Sequence, residues 1–169
     1  MKKVLSVILF FALVMSLAGC SSKPGEISSE DNTPSALEPG VVGDTLDVND
    51  VSIMLLSVEE TEGNILHSPS EGNVYVIAEF EVINNSSEDA IVSYFMCFAG
   101  YMNGEYVPVH FDAGNTAEGH VLLDGTLAPN EKMVGVVGFE LPEDWTEIEI
   151  VFTLDVFGDV SPTFICTKP

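Results

Sequence analysis

The segment Tyr75-Val-Ile-Ala-Glu-Phe-Glu-Val-Ile83 decides the fold, because its side chains alternate with the period of two that a β-strand imposes. Glu79 and Glu81 fall on one face. The turn-forming residues Asn84–Ser87 end the strand. The opposite face is apolar throughout and is predicted to lie on the core, through Val76, Ala78, Phe80 and Val82.

Other short segments of the chain have the same character and are separated by turns. Asn49-Asp50 joins the first two strands, Asn103-Gly104 predicts a tight hairpin, and Pro129 marks another turn. No segment beyond the N-terminal region shows a helical period. About eight short strands with regular turns predict an all-β fold, an antiparallel β-sandwich. The remaining predicted strands are Thr45–Val48, Val51–Val58, Ile91–Phe98, Glu105–Val109, Met133–Leu141, Glu147–Val156 and Thr163–Thr167.

The N-terminus has the pattern of an export signal. Lys2 and Lys3 precede the apolar run Val4–Leu17, and small residues follow it, so residues 1–19 are predicted to be a secretory signal peptide. The run is shorter than the about 20 residues of a membrane-spanning helix. Its end, Leu17-Ala-Gly-Cys20, resembles the lipobox of bacterial lipoproteins.

The lipobox resemblance implies a lipid anchor. It implies cleavage between Gly19 and Cys20 and transfer of a diacylglyceryl group to the Cys20 thiol. Two or three acyl chains hold a protein firmly at a membrane. We therefore expect a lipid-anchored protein at the extracytoplasmic face of the bacterial membrane. The alternative is an ordinary signal peptide in which Cys20 occurs by accident.

The chain after the signal peptide changes composition once. Residues 20–41 are rich in Ser, Pro, Glu and Gly and lack apolar periodicity, so they are predicted to form a disordered tether. Residues 42–169 are rich in Val, Ile, Phe and Thr and are long enough for one domain.

The charge of the protein is strongly negative. The 169 residues include 27 acidic residues and five lysines, with no arginine. Cleavage after Gly19 would remove two lysines and no acidic residue, which changes the formal charge from −22 to −24. Such a surface is repelled by nucleic acid and by anionic lipid headgroups, so a nucleic-acid partner is excluded. Two interpretations of the charge remain open. The acidic surface could attract cations or a basic partner, or it could serve only to keep the protein solvated.

Two cysteines remain after Cys20. Cys97 and Cys166 both lie in apolar, strand-like sequence. An extracytoplasmic compartment permits a disulfide between them, whereas two buried free thiols are the alternative.

Several segments together resemble a known family. They are VGDTLDV, YVIAEFEVINNSS, Asn103-Gly104-Glu105-Tyr106, LAPNEKMVGVVGFELP and a final amphipathic strand. This series resembles the bacterial lipoprotein domain-of-unknown-function family 4352 over about Val42–Phe157. The resemblance implies a telokin-like, immunoglobulin-type β-sandwich, similar in fold to a secreted mycobacterial immunoprotective antigen. It also implies a lipobox, a low-complexity tether and often a Gram-positive source, with no established catalytic residues.

One departure from the family concerns a turn. The family usually has glycine where this chain has Asn130, after Pro129. Asparagine also tolerates positive φ, so we expect the turn to persist.

No residue pattern indicates catalysis or a cofactor. The three histidines, His67, His110 and His120, form no zinc motif, although His110 and Asp112 would share a strand face. The cluster Asp44, Asp47, Asn49 and Asp50 offers oxygen ligands for Ca²⁺ but lacks the spacing of an EF-hand. A nucleophile elbow and a phosphate loop are absent from the sequence.

Aromatic residues suggest a surface patch near one hairpin. Tyr94, Phe95, Tyr101 and Tyr106 could form it, although core packing explains them equally well. The sequence thus favours a non-catalytic extracytoplasmic binding domain, with no metal site and an unknown protein or small-molecule ligand. A divalent-cation-responsive surface module and an extracytoplasmic hydrolase are the alternatives.

Overall fold

The computed structural model describes residues 37–154 and 160–169, so the predicted signal peptide, Gly19, Cys20 and the tether up to residue 36 lie outside the described residues. The described part contains ten strands and one short helix. These are β1 (Thr45–Val48), β2 (Val51–Thr61), β3 (Asn73–Asn84), β4 (Ala90–Val92), β5 (Phe98–Met102), β6 (Glu105–Val107), α1 (Phe111–Gly114), β7 (Gly125–Leu127), β8 (Lys132–Pro142), β9 (Glu147–Phe152) and β10 (Thr163–Thr167).

Two four-stranded sheets form the sandwich. One has the strand order β1-β2-β3-β8 and the other the order β10-β9-β5-β6, while β4 and β7 pair separately. All neighbouring strands are antiparallel. The predicted all-β, antiparallel, immunoglobulin-like (telokin-like) β-sandwich is confirmed.

Strand β3 is central to the first sheet and has the predicted core face. Its four inward side chains are fully buried, and Phe80 contacts the rings of Phe98 and Phe164 from the second sheet at centroid distances of 5.5 and 5.4 Å. These aromatic contacts join the two sheets across one core. The four inward side chains are those of Val76, Ala78, Phe80 and Val82.

The other face of β3 is covered by protein rather than by solvent. Residues 108–124, named here the cover segment, cross this face and contain α1. Tyr75 and Ile77 are buried beneath it against Ala113. Backbone hydrogen bonds from His110 N to Gly138 O (2.7 Å) and from Val136 N to Val121 O (2.8 Å) hold the segment on β8. The sequence pattern placed Glu79 and Glu81 on this face but did not indicate that another segment covers it.

One predicted strand is interrupted. The segment Ile91–Phe98 was expected to be continuous, but a turn at residues 93–97 separates β4 from β5. The amide of Cys97 donates to Ser93 O (2.8 Å), which closes a helical-type turn, and Asp124 Oδ1 accepts from Tyr94 N (3.0 Å). These local bonds compete with strand pairing, and the apolar composition did not indicate them.

The turn predictions are confirmed. Asn49 and Asp50 have φ of 48° and 59°, and Asn103 and Gly104 have φ of 53° and 80°. Positive φ at both central residues is the two-residue hairpin geometry that matches strand twist. Asn130 has φ of 64°, so asparagine occupies the left-handed conformation usually given to glycine in the family.

The ends of the domain differ slightly from expectation. Gly40, assigned to the predicted tether, pairs with β10: its amide donates to Thr163 O (2.9 Å) and its carbonyl accepts from Ile165 N (2.8 Å). Strand β9 ends at Phe152, with Leu154 only partly buried, and Val156 lies outside the described residues.

Candidate interaction surface

Four large apolar side chains remain exposed near the turn between β4 and β5. Their exposed fractions are 68% for Ile91, 59% for Phe95, 74% for Met96 and 50% for Phe111. We name these four residues the apolar patch. Grouped exposed apolar side chains on a folded domain mark interaction sites more often than scattered ones do.

A buried tyrosine holds this patch in place. The hydroxyl of Tyr94 donates to His110 O (2.8 Å) and accepts from Gly138 N (3.0 Å), which links the turn at residues 93–97 to the cover segment and β8. Burial raises the pKa of Tyr94 to about 12, so the hydroxyl stays neutral at physiological pH. Phe95 packs edge-on against Tyr94 (5.0 Å between centroids) and stacks with Phe111 (6.2 Å).

A small recess lies beside Met96. Its volume is about 160 Å³, and its lining combines aliphatic side chains with few polar groups. The recess is smaller than a typical small-molecule site, for which about 300–1,000 Å³ is usual. It has room for a single aliphatic side chain. Its lining residues are Ile91, Ser93, Met96, Cys97, Thr153 and Leu154.

The two cysteines are buried and free, so the disulfide alternative is not formed in the structure. Burial raises the pKa of Cys97, whose sulfur accepts from Ser93 N (3.2 Å), and raises that of Cys166 to about 12. Thiols with raised pKa values are poor nucleophiles, because the thiolate is the reactive form. Both side chains therefore act as core residues.

The charge near the apolar patch is negative. Asp112 follows Phe111 directly, and the exposed Asp124 bonds the turn that carries Phe95. The two lysines among the described residues are engaged elsewhere: Lys132 pairs with Glu81 (2.7 Å) and Lys168 with Glu60 (3.0 Å).

The histidines bond the cover segment to its surroundings. The pairing of His110 and Asp112 towards one metal, considered from the sequence, does not occur, because each binds a different partner. Across residues 37–154 and 160–169, no three His, Cys, Asp or Glu side chains converge to hold a metal ion. The three pairs are His67 Nδ1–Asp112 Oδ1 (2.9 Å), His110 Nε2–Glu140 Oε2 (3.3 Å) and His120 Nε2–Glu79 Oε1 (3.2 Å).

Glu140, on β8, holds the loop before β3 and the start of that strand. Its carboxylate accepts from Ser70 N (2.9 Å) and Asn73 Nδ2 (2.8 Å). Desolvation, the strongest single influence, raises the pKa of Glu140, but the hydrogen bonds from Asn73 and Ser70 together with His110 outweigh it and lower the pKa. Glu140 therefore remains ionised and holds this arrangement at neutral pH.

The acidic cluster near the domain entry stabilises turns. Asp44 Oδ2 accepts from Val41 N (3.0 Å), and Asp47 accepts from the hydroxyl of Ser52. Asn49 and Asp50 form the hairpin turn itself. These groups serve local structure rather than converging on a cation.

A larger open cleft lies at the end of β2. It has a volume of about 400 Å³ and is lined by Val58, Glu59, Glu60, Lys168 and Pro169. Hydrogen bonds from Lys168 and Trp145 lower the pKa of Glu60. Glu60 and Lys168 pair with each other in this cleft, whose lining also includes the exposed Glu59.

The aromatic patch expected from the sequence is divided. Tyr94 is buried, Phe95 is exposed, and Tyr101 packs against the exposed Tyr106 on the β5–β6 hairpin (5.9 Å between centroids). The sequence did not indicate Phe111 as a neighbour of Phe95, since the cover segment brings them together.

The fold and this surface define a class: an antiparallel, immunoglobulin-like β-sandwich with an exposed apolar patch. No helix in the described part of the chain is long and apolar enough to cross a membrane. The model of the family described as "Domain of unknown function (DUF4352)" matches residues 40–161, and the chain belongs to this family. A search of curated proteins found no match.

Solved bacterial structures share the fold. A "putative lipoprotein (ycdA)" from Bacillus subtilis has a TM-score of 0.61 at 16% identity; the match covers 73% of this chain and 38% of that chain. The yjhA protein from Bacillus subtilis has a TM-score of 0.58 at 17% identity, covering 74% and 97%. The secreted protein MPT63 from Mycobacterium tuberculosis has a TM-score of 0.50 at 12% identity, covering 79% and 100%. At these identities the likeness shows the fold alone.

Proposed function

We propose that this protein is a lipid-anchored lipoprotein at the extracytoplasmic face of the bacterial membrane, and that its β-sandwich binds a partner without catalysing a reaction. The observation that carries the binding role is the exposed apolar patch, held by the buried Tyr94. The Leu17–Cys20 segment supports the anchor, and the lipoprotein description of the ycdA neighbour agrees with it.

Several features favour binding over catalysis. Both described thiols are buried with raised pKa values, which suits packing rather than nucleophilic attack. Each histidine contacts a carboxylate, and in the described residues none contacts a serine hydroxyl or a thiol. The usual pairing of a nucleophile with a base is therefore missing from this part of the chain.

The anchor is tested at the native N-terminus. Mass spectrometry of the protein from cells should find a first residue Cys20 that carries a diacylglyceryl group, and Cys20→Ser should release the protein into the medium. An unmodified Cys20, or cleavage elsewhere, would contradict the anchor.

The binding role is tested on live cells. A photo-reactive amino acid at position 95 or 96 should crosslink to one recurring partner, whereas the same group at the exposed position 65, outside the patch, should not. Equal labelling from all three positions, or no adduct with several reactive chemistries, would contradict a binding role for the patch.

A further inference from the structure

The apolar patch and its recess have the form of a docking site for a peptide segment. Phe95 and Met96 are consecutive, and Met96 and Ile91 line the recess of about 160 Å³. On the other side, Phe95 stacks with Phe111. A partner side chain in the recess would thus lie beside the stacked rings of Phe95 and Phe111. Protein interfaces often have this arrangement, in which one buried anchor residue is surrounded by contacts that exclude water.

The patch is held rigidly before any partner arrives. Tyr94 bonds both the cover segment and β8, and the amide of Cys97 closes the turn on Ser93. A surface already ordered in the free protein loses little conformational entropy on binding.

Charge distinguishes among the molecules that could occupy the apolar patch. A second copy of a chain with a formal charge of −22 would be repelled, and so would an anionic lipid surface. Asp112, whose carboxylate also contacts His67, and Asp124, which accepts from Tyr94 N, border the patch, and both described lysines are paired at other sites. A cationic segment gains from this field, whereas a neutral one does not.

We propose that the apolar patch docks a basic, amphipathic segment of another protein, with one aliphatic side chain in the recess and lysine or arginine side chains towards Asp112 and Asp124. This inference rests on the proposed binding function and adds the surface and the chemistry of the partner.

The test uses synthetic peptides and the protein without its first 19 residues but with the tether retained. An amphipathic leucine–lysine peptide should bind, measured by fluorescence anisotropy, and higher salt should weaken it. A serine–lysine peptide of equal charge and a leucine–glutamate peptide of equal apolarity should both bind at least about tenfold more weakly.

Variants locate the binding site. The double variant Phe95→Ser, Met96→Ser should weaken binding of the leucine–lysine peptide by about tenfold or more. The matched control is Val41→Ser, Val42→Ser, which removes two consecutive, half-exposed apolar side chains next to the Gly40 contact with β10, and it should leave affinity unchanged. Thermal unfolding of both variants should match the unaltered protein, because the replaced side chains are mostly exposed.

Five results would overturn the proposal. Equal loss in both double variants would show apolar attraction without a defined site, and equal binding of the serine–lysine peptide would show mere charge attraction. Patch-dependent self-association in sedimentation would identify a second copy as the occupant, and patch-dependent binding to phosphatidylcholine vesicles would identify a membrane. If the Phe157→Ala variant bound the leucine–lysine peptide and the unaltered chain did not, the chain's own residues 155–159 would be the occupant of the recess.

Different results would contradict the proposed function and this inference. Release of the unaltered protein from cells would contradict the anchor and leave the peptide result standing. Absence of peptide binding would contradict the basic amphipathic partner, while crosslinking from position 95 would still support a binding role.

Discussion

The two faces of β3 are buried by different means. The inner face contributes Phe80 and its neighbours to the core between the sheets, where apolar contacts with Phe98 and Phe164 dominate. The outer face is covered by the cover segment, which combines a small apolar cluster with hydrogen bonds and histidine–carboxylate pairs. The comparison teaches that one strand can join a hydrophobic core on one face to a largely polar, hydrogen-bonded attachment on the other.

The largest effect is expected from the inner face. Phe80→Ala should lower the free energy of unfolding by about 3–5 kcal/mol, because it removes a fully buried ring and leaves a cavity. Chemical denaturation measures the loss. The matched control is Phe95→Ala, which deletes the same ring from an exposed position and should cost less than about 1 kcal/mol. Similar losses in the two variants would contradict the assignment of Phe80 to the core.

A smaller effect is expected where the cover segment touches β8. In Gly138→Ala the new Cβ would collide with Gly114 N, so the segment must shift. Overpacking of this kind costs about 1–3 kcal/mol. Hydrogen exchange should accelerate in residues 108–124, while the protection of β2 stays unchanged. Unchanged exchange in the cover segment would mean that it does not rest on Gly138.

The hydroxyl of Tyr94, which links these regions, should contribute about 1–2 kcal/mol to the free energy of unfolding. Tyr94→Phe leaves the buried Gly138 N without its acceptor and removes one of the two donors to His110 O, and an unsatisfied buried group carries such a cost. Denaturation should show this loss, whereas Tyr106→Phe, at an exposed ring, should show almost none.

The same tyrosine should also make stability fall at alkaline pH. Its pKa rises from 10.0 in the unfolded chain to about 12 in the fold, so the folded state holds its proton longer. Stability from this group is therefore present below pH 10 and is lost as pH rises towards about 12. Tyr94→Phe should reduce this slope, and an unchanged slope would contradict the role of the buried hydroxyl.

The smallest effect is expected from Glu140 and concerns the stability of the fold at acidic pH. Its pKa is lowered in the fold, so its contribution is present above the unfolded value of about 4.5 and is lost as pH falls through the lower folded value. Glu140→Gln should flatten the decline of stability in urea denaturation below about pH 4.5. Glu105→Gln, at an exposed carboxylate, is the control, and equal slopes in both variants would contradict this prediction.

Local patterns predicted most of the sandwich. The core face of β3, and the Asn49-Asp50 and Asn103-Gly104 turns, depend on neighbouring residues only, and all of them are confirmed. The break at residues 93–97 was missed, because Asp124 and the amide of Cys97 stabilise it through contacts that composition does not reveal.

The candidate surface was only partly predictable. Phe95 stood out as an aromatic residue near a hairpin, but its exposure and its stacking on Phe111 depend on how the cover segment crosses β8. The partners of the histidines depend on the same crossing, since each pair joins residues distant in sequence.

The sequence by itself determined the strands, the hairpin turns and the negative charge, because periodicity, turn chemistry and composition are local or additive properties. It also carries the lipobox pattern on which the expected anchor rests. Only the tertiary structure decided which face of β3 is covered, that Cys97 and Cys166 stay apart, and which apolar side chains remain exposed. These outcomes depend on which distant segments meet, and no single segment contains that information.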